Sequence, residues 1–516
     1  MDFKLVLGLF ALTSLLGPCM VHSGNICTQC DCKVDLVPYF VDCSAKDRKQ
    51  VPFNVNVNGE NMTAIMMDLD LSSNRIEVLN PLARDLNLHS LSLKQNNIVE
   101  IKNNAFKDQL FLSYLDLSYN QLTSDMIKRE VFEGQYSKTE YKPLPLLVLD
   151  LSHNRITTIS RNAFEHLFHL RELKLDGNSL RSIEPSTEHA LMSLMNLMSL
   201  SLADALLDTL PENILAGFSR LIRLDLSGNR FQDVPSALRR AKHLTNLNLA
   251  GNLFSQLDQG MFITLEHLEI LNVSYQKDLT SVGPKTFSSL KKLKSLFLQK
   301  NPKLDFIHPD IFEDHKAENF SLKHLHLNGN GLKYLPTGLV PSFNNWHDLE
   351  TIDLEDNPWA CNCHNEWMFT ALIDVIKRVS PTLVANIICR EPKELRGTAM
   401  EDLVLKPADI ACPSHDGFNV YKEHYGMFEK RRHFVDPGTH HGHKVTMALG
   451  VVCSVVTLSF LAIAAVYFMR KRQPTLYRSL HNLSSGQSQY SMDDPQRHGD
   501  IVRSTFERNQ DDITIR

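Results

Sequence analysis

Three leucines and one asparagine recur at fixed spacing along most of this chain, and that recurrence constrains its fold more than any other feature. In Leu146–Ile156, LLVLDLSHNRI, the leucines Leu146, Leu149 and Leu151 stand at positions one, four and six, Asn154 at nine and Ile156 at eleven. On an extended strand Leu149 and Leu151 point to the same side, and one such segment alone has nothing to bury that side against. Copies must therefore stack. Aligned on the asparagine position there are about twelve, at Asn74, Asn96, Asn120, Asn154, Asn178, Ala205, Asn229, Asn252, Gln276, Asn301, Asn330 and Asn357. Most steps are about 22 to 27 residues, a period that predicts stacked coils.

A buried amide at that position can bond backbone groups of neighbouring coils. Ala205 cannot make the bond, and Gln276 makes it only with a longer arm. A second register supports the alignment. Six residues before the first leucine stand Leu82, Phe106, Phe164, Leu191, Leu215, Leu238, Phe262, Phe287 and Phe343, which predict a second apolar row inside the coil. The two registers together predict an α/β leucine-rich-repeat solenoid over residues 62–357. It would have one short strand per coil, about twelve repeats and a curved parallel sheet.

Leu5–Leu16 is a short apolar run behind Lys4, broken by Gly17 and Pro18, with a cleavage site before Gly24. Residues 1–23 are thus expected to be a secretory signal, too short to span a bilayer. Cys27, Cys30, Cys32 and Cys43 follow, a cluster that suits either zinc or two disulfides, and export favours disulfides. Residues 24–61 would cap the first coil, whose leucines are otherwise open to water. At the other end NPWACNCHNEW brings Cys361 and Cys363, with Cys389 and Cys412 beyond, in a second cap at 358–412. Trp359 should lie across the last coil, with a helical run at Glu366–Val379 beside it.

These two flanks resemble those of extracellular leucine-rich-repeat proteins, a resemblance that covers residues 24–412. Its pairing implies Cys27–Cys32, Cys30–Cys43, Cys361–Cys389 and Cys363–Cys412; spacing alone permits three connectivities in each cluster.

The position between leucines four and six reads Asp70, Ser92, Asp116, Asp150, Lys174, Ser201, Asp225, Asn248, Asn272, Phe297, His326 and Asp353. The plain reading of its aspartates is that the repeat tolerates them there; an acidic stripe for a basic partner is the alternative. Ile270, Tyr275, Phe297, His324 and His326 should form an aromatic patch on adjacent strands, the first choice for contact with a protein ligand. Asn61, Asn272 and Asn319 head glycosylation sequons. A glycan on Asn272 would obstruct the patch and move binding to a lateral edge. The step from Asn120 to Asn154 is 34 residues long and carries Tyr136 and Tyr141 in a charged insertion. Such insertions contact ligands or simply tolerate drift, and both readings stand.

Residues 413–444 form a polar extracellular stem with a basic cluster and several histidines. Residues 445–469 are apolar and uncharged, with Arg470-Lys471-Arg472 directly after them. That pattern predicts one transmembrane helix and, with the signal, a type I plasma-membrane protein with its N-terminus outside. The tail, 470–516, is too short for a signalling domain. In it Tyr477 and Leu480 fit the pattern read by endocytic adaptors. The formal net charge of −5 leaves no footprint for nucleic acid. No catalytic motif, cofactor fingerprint or metal set stands out, so the chain is not expected to be an enzyme. The layout is similar to that of leucine-rich-repeat adhesion receptors, including trophoblast-glycoprotein-like ones. It implies cell-surface protein recognition, as adhesion protein, receptor or co-receptor. Two other classes share it: an accessory subunit of an ion channel or signalling receptor, and an innate-immune pattern sensor without its own signalling domain.

Overall fold

The computed structural model describes residues 26–403, apart from 34, 36, 53–55, 58, 59, 62–65, 85 and 137–139. The signal segment, Cys412, the stem, the 445–469 segment and the tail with Tyr477 and Leu480 lie outside the described residues. Among the described residues no helix is long and apolar enough to cross a membrane.

Fourteen short strands form one sheet in chain order. They are β1 Asp31–Lys33, β2 Tyr39–Asp42, β3 Met67–Asp70, β4 Leu88–Ser92, β5 Tyr114–Asp116, β6 Val148–Asp150 and β7 Glu172–Lys174. After them come β8 Ser199–Ser201, β9 Arg223–Asp225, β10 Asn246–Asn248, β11 Ile270–Asn272, β12 Ser295–Phe297, β13 His324–His326 and β14 Thr351–Asp353. Only β1 and β2 pair antiparallel; from β2 onward each strand runs parallel to the next. The register sets Leu115, Leu149, Leu173, Leu200, Leu224 and Leu247 side by side. All six are almost fully buried. Each such side chain stabilises the stack by roughly 1.5–3 kcal/mol, more than a single hydrogen bond contributes, so packing sets the fold and polar contacts set its register.

Those polar contacts form a ladder. Asn154 Nδ2 donates to Leu151 O in its own coil and to Leu117 O in the coil before, both at 3.0 Å. Its Oδ1 accepts from Leu122 N at 3.0 Å. Asn120, Asn178 and Asn229 bond their own and the preceding coil in the same way. Gln276 reaches Leu249 O at 2.8 Å with its longer amide. Ala205, fully buried, contributes no rung of its own, and its N–H donates to Asn229 Oδ1 instead (3.2 Å).

The residue just ahead of each ladder position turns the chain through the left-handed region. Tyr119, His153, Asp204, Tyr275, Lys300 and Asp356 all do so with side chains in place (φ +51 to +61°). At Gly228 the side chain is missing for a reason. A Cβ there would stand 1.9 Å from Asp204 Oδ1, because Asp204 folds over the next coil.

Opposite the sheet the coils return through turns, 3-10 segments and short paired strands, Val78–Leu79 with Glu100–Ile101 and Gln256–Leu257, Ser281–Val282 and Phe306–Ile307 in a row. Among the described residues of the stack, α-helix occurs at Pro185–Met192 and Phe343–His347. The apolar row predicted on this side is buried at Leu82, Phe106, Phe164, Leu191, Leu215, Leu238, Phe262 and Phe287. Phe343 departs from it and is 44% exposed. It opens a one-turn helix, Phe343–His347, that turns Trp346 inward in its place. Phe132 and Phe312 complete the row, with ring centroids 6.3 Å from Phe106 and 5.6 Å from Phe287.

Both ends of the stack are covered. At the start Cys27 pairs with Cys32 and Cys30 with Cys43, while Val41 lies in register with Leu69 and continues the leucine column. At the end Trp359 is fully buried and donates from Nε1 to Leu354 O at 2.9 Å. Cys361 is bonded to Cys389. Cys363 is also disulfide-bonded. Met368, Leu372, Ile373, Val375 and Ile376 bury one side of a helical run over Met368–Val379.

Candidate functional site

With the leucines turned inward, alternate residues of β4–β14 form an uncovered face. Aspartates on it are fixed by the backbone. Asp116, Asp150 and Asp225 each accept at Oδ1 from the N–H two residues on, at 2.8–2.9 Å. Asn248 and Asn272 do the same at 3.1 Å. A short acceptor at this position therefore satisfies a turn amide, which accounts for the aspartates without any partner. Where the position carries Ser201 or Phe297, the preceding coil supplies an acceptor: Ala203 N donates to Asp176 Oδ1 (3.0 Å) and Gln299 N to Ser274 Oγ (3.3 Å).

A groove of about 770 Å³ runs along this face from Lys94 and Tyr119 to Phe297 and Gln299. Its floor alternates in charge: Asp150, Lys174, Asp176, Arg223 and Asp225. Lys174 Nζ lies 3.3 Å from Glu172 Oε1 and 3.7 Å from Asp150 Oδ2. Burial alone would lower its pKa, but the Asp150 and Glu172 carboxylates outweigh that and hold it above the usual lysine value. Burial pushes the Asp176 carboxyl up, against the hydrogen bonds from Ser201 and Ala203. Burial also raises the Tyr114 hydroxyl, with Asp116 adding to it. At one end Tyr119 stacks on His153 (centroids 4.2 Å apart) with Lys94 Nζ 5.4 Å from the Tyr119 ring. An aromatic shelf and mixed charges on a rigid sheet suit a protein surface. Among the described residues no cluster of three or more His, Cys, Asp or Glu could hold a metal ion.

The residues singled out in the sequence fall in two places. Ile270, Phe297, His324 and His326 stand on β11, β12 and β13, and Ile270 and Phe297 also line the groove. Phe297 and His326 stack at 4.6 Å and 11°. His324 Nδ1 is 3.1 Å from Thr351 Oγ1. Tyr275, 56% exposed, sits in the turn after β11. Tyr136 and Tyr141 form a separate hairpin, Gln135–Tyr136 with Tyr141–Lys142. It packs on the turn side of the coils: Tyr141 lies 5.0 Å from His166, and Gln135 Nε2 is 2.9 Å from Asp108 Oδ1. Asn272 is on the sheet face, Asn61 in a small hairpin and Asn319 in an exposed 3-10 turn. Sequence reasoning missed Tyr119 and His153. Their signal was an aromatic residue ahead of the ladder asparagine in consecutive copies, SYNQL and SHNRI.

The general model named Leucine rich repeat matches residues 139–180, 169–231, 195–254, 242–302 and 266–332, so the chain carries leucine-rich repeats over this stretch. Its relatives include Tsukushi of Gallus gallus, 27% identical over 335 residues, which are 62% of this chain and 77% of that protein. Podocan-like protein 1 of Mus musculus is 31% identical over 238 residues, 46% of this chain and 40% of that protein. Among solved structures, the crystal structure of the mouse RP105/MD-1 complex matches 70% of this chain and 53% of its own, with 22% identity and a TM-score of 0.47.

Proposed function

We propose that this chain recognises a protein ligand at the cell surface through the open face of its repeat sheet, as an adhesion protein, receptor or co-receptor. The observation that carries this reading is the groove from Tyr119 to Phe297. It joins an aromatic shelf, alternating charges and the Phe297–His326 stack on strands fixed by a buried ladder. A preformed surface orders few side chains on binding and so retains more of its contact energy. Export and single-pass type I anchoring rest on the 1–23 and 445–469 segments, and both disulfide-bonded flanks are consistent with an oxidising compartment. The tail pattern at Tyr477 and Leu480 would then serve endocytic recruitment.

The test is a screen of cells displaying the full-length chain against secreted and cell-surface proteins. It is repeated with Phe297→Ala, with Arg223→Ala and with Asn272→Gln. A partner whose affinity falls with Phe297→Ala and Arg223→Ala supports the reading. A partner indifferent to both, or no partner at all, overturns it.

A further inference from the structure

The lateral edge of the coils preceding β9 to β12 carries a concentration of basic side chains that the sheet face does not explain. Arg223, Asn246, Ile270 and Ser295 are neighbours in register. Three residues ahead of each stand Arg220, His243, His267 and Lys292, so these four side chains also follow one another coil by coil. The His243 and His267 rings, 6.4 Å apart, bear out that alignment. At strand spacing the row is roughly 15 Å long. Beside it lie Lys242 and Lys291, with Arg239 and Arg240 in the turn before. The Arg239 carbonyl accepts from Thr264 Oγ1 of the next coil at 3.0 Å, which fixes that turn against the row.

All these side chains are exposed. Some charges on neighbouring coils are paired, as in Lys294–Glu269 at 2.8 Å and Lys323–Glu350 at 3.7 Å. No carboxylate among the described residues lies in ion-pair range of Arg220, Arg239, Arg240, Lys242, Lys291 or Lys292. Lys291 Nζ instead donates to the Asp314 carbonyl. Glu266 stands among them, and Asp314, beside Lys291, has its carboxylate 3.9 Å from Lys285 Nζ. Six cations without an ion-pair partner outnumber the acids beside them, Glu266 and Asp314, so their field favours a ligand that brings several negative charges in a line. The sequon at Asn319 lies one coil further on and would bound the strip on that side.

We propose that this edge binds a linear sulfated polysaccharide, with Arg239, Arg240, Lys242, Lys291 and Lys292 as its principal contacts and Arg220 extending them. Sulfates spread along an extended chain can reach both cationic clusters, Arg239–Arg240–Lys242 before β10 and Lys291–Lys292 before β12, which strand spacing sets roughly 10 Å apart. Guanidinium groups engage such oxyanions through two donors at once. The site lies apart from the groove, so the chain would hold a polysaccharide on one edge while the sheet face stays open.

The experiment measures binding of the purified full-length chain to immobilised heparin at about 0.15 M salt, where exposed charges are already partly screened. One variant carries Arg239→Ala, Arg240→Ala, Lys291→Ala and Lys292→Ala. A control of equal charge change carries Lys49→Ala, Arg155→Ala, Arg161→Ala and Lys393→Ala. Binding that falls about tenfold or more in the first variant and stays within about twofold in the control supports the site. No heparin binding by the parent chain, equal loss in both variants, or equal binding of desulfated heparin overturns it. Vesicles rich in phosphatidylserine form a further arm; binding to them as tight as to heparin also overturns the proposal. Phe297→Ala should leave heparin binding unchanged, so failure of the protein-ligand reading and failure of this one are read separately. Thermal unfolding of each variant confirms that the fold is intact.

Discussion

Lys300 Nζ lies 3.4 Å from Asp356 Oδ2, two coils away, and Gly329 occupies the turn between them. Lys300, Gly329 and Asp356 all hold the left-handed turn ahead of the ladder. Without a side chain at 329 the lysine can lie across that turn; a Cβ there would stand 2.6 Å from Lys300 Cδ. Two effects would follow from Gly329→Ala, and their sizes differ. The lysine tip is flexible and its exposed ion pair contributes little. The backbone at φ +69° costs an alanine about 1 kcal/mol. We expect Gly329→Ala to lower the unfolding temperature by a similar amount in low and high salt. Gly329→Asn, which tolerates this conformation better, should lose less. A loss that vanishes in high salt would assign the effect to the ion pair instead.

The ladder gives a second prediction. Asn154→Ala removes a buried donor to Leu117 O and Leu151 O and the acceptor of Leu122 N, across the longest step in the chain. The hydrophobic packing is untouched, so the loss should be that of stranded backbone groups, about 2–3 kcal/mol. Asn154→Gln should recover part of it, because Gln276 already forms a rung at 2.8 Å to Leu249 O. Chemical denaturation of the three proteins measures this. Equal losses for alanine and glutamine would show that the rung does not set the register.

Residues that repeat were legible in the sequence, and residues that act only once were not. The leucine column, the asparagine positions and the row from Asp70 to Asp353 were visible because stacking imposes the same environment on each copy. Phe343 was misplaced because a fixed offset carries no information about a local helix; Trp346, three residues later, faces inward instead. The cross-coil acceptors Asp176 and Ser274 were invisible for a related reason. Each compensates for a neighbour, and a compensation has no period. The alternating charges of the groove converge only once β6 to β9 are laid side by side.

Phe297 tests the face itself. It is partly exposed and its ring stacks on His326, whose Nδ1 lies 3.8 Å from Asp353 Oδ2. Truncation to alanine opens no cavity in the leucine core, so stability should change by less than about 1 kcal/mol. Partner affinity should fall about tenfold or more if the stack is an anchor, since aromatic anchors dominate interface energies. Calorimetric unfolding together with a binding isotherm separates the two. A large loss of stability would recast Phe297 as a structural residue.

The last prediction concerns acid. His315 lies against Phe312 and Phe320, its Nε2 3.1 Å from the Phe287 carbonyl. Burial lowers its pKa below the ordinary histidine value, and the Lys291 charge adds to that, more than the Phe287 carbonyl restores. The folded chain thus favours the neutral ring, whereas the unfolded chain takes up its proton near the ordinary value of about 6.5. Stability from this group is present above that pH and is lost as the pH falls through the depressed folded value. His166, also lowered by burial, works in the same direction. We expect the unfolding temperature to drop between about pH 7.5 and pH 5. His315→Gln should reduce that drop, because a glutamine can still donate toward the Phe287 carbonyl and has no proton to take up. An unchanged pH dependence in His315→Gln would mean that the acid sensitivity arises elsewhere in the stack.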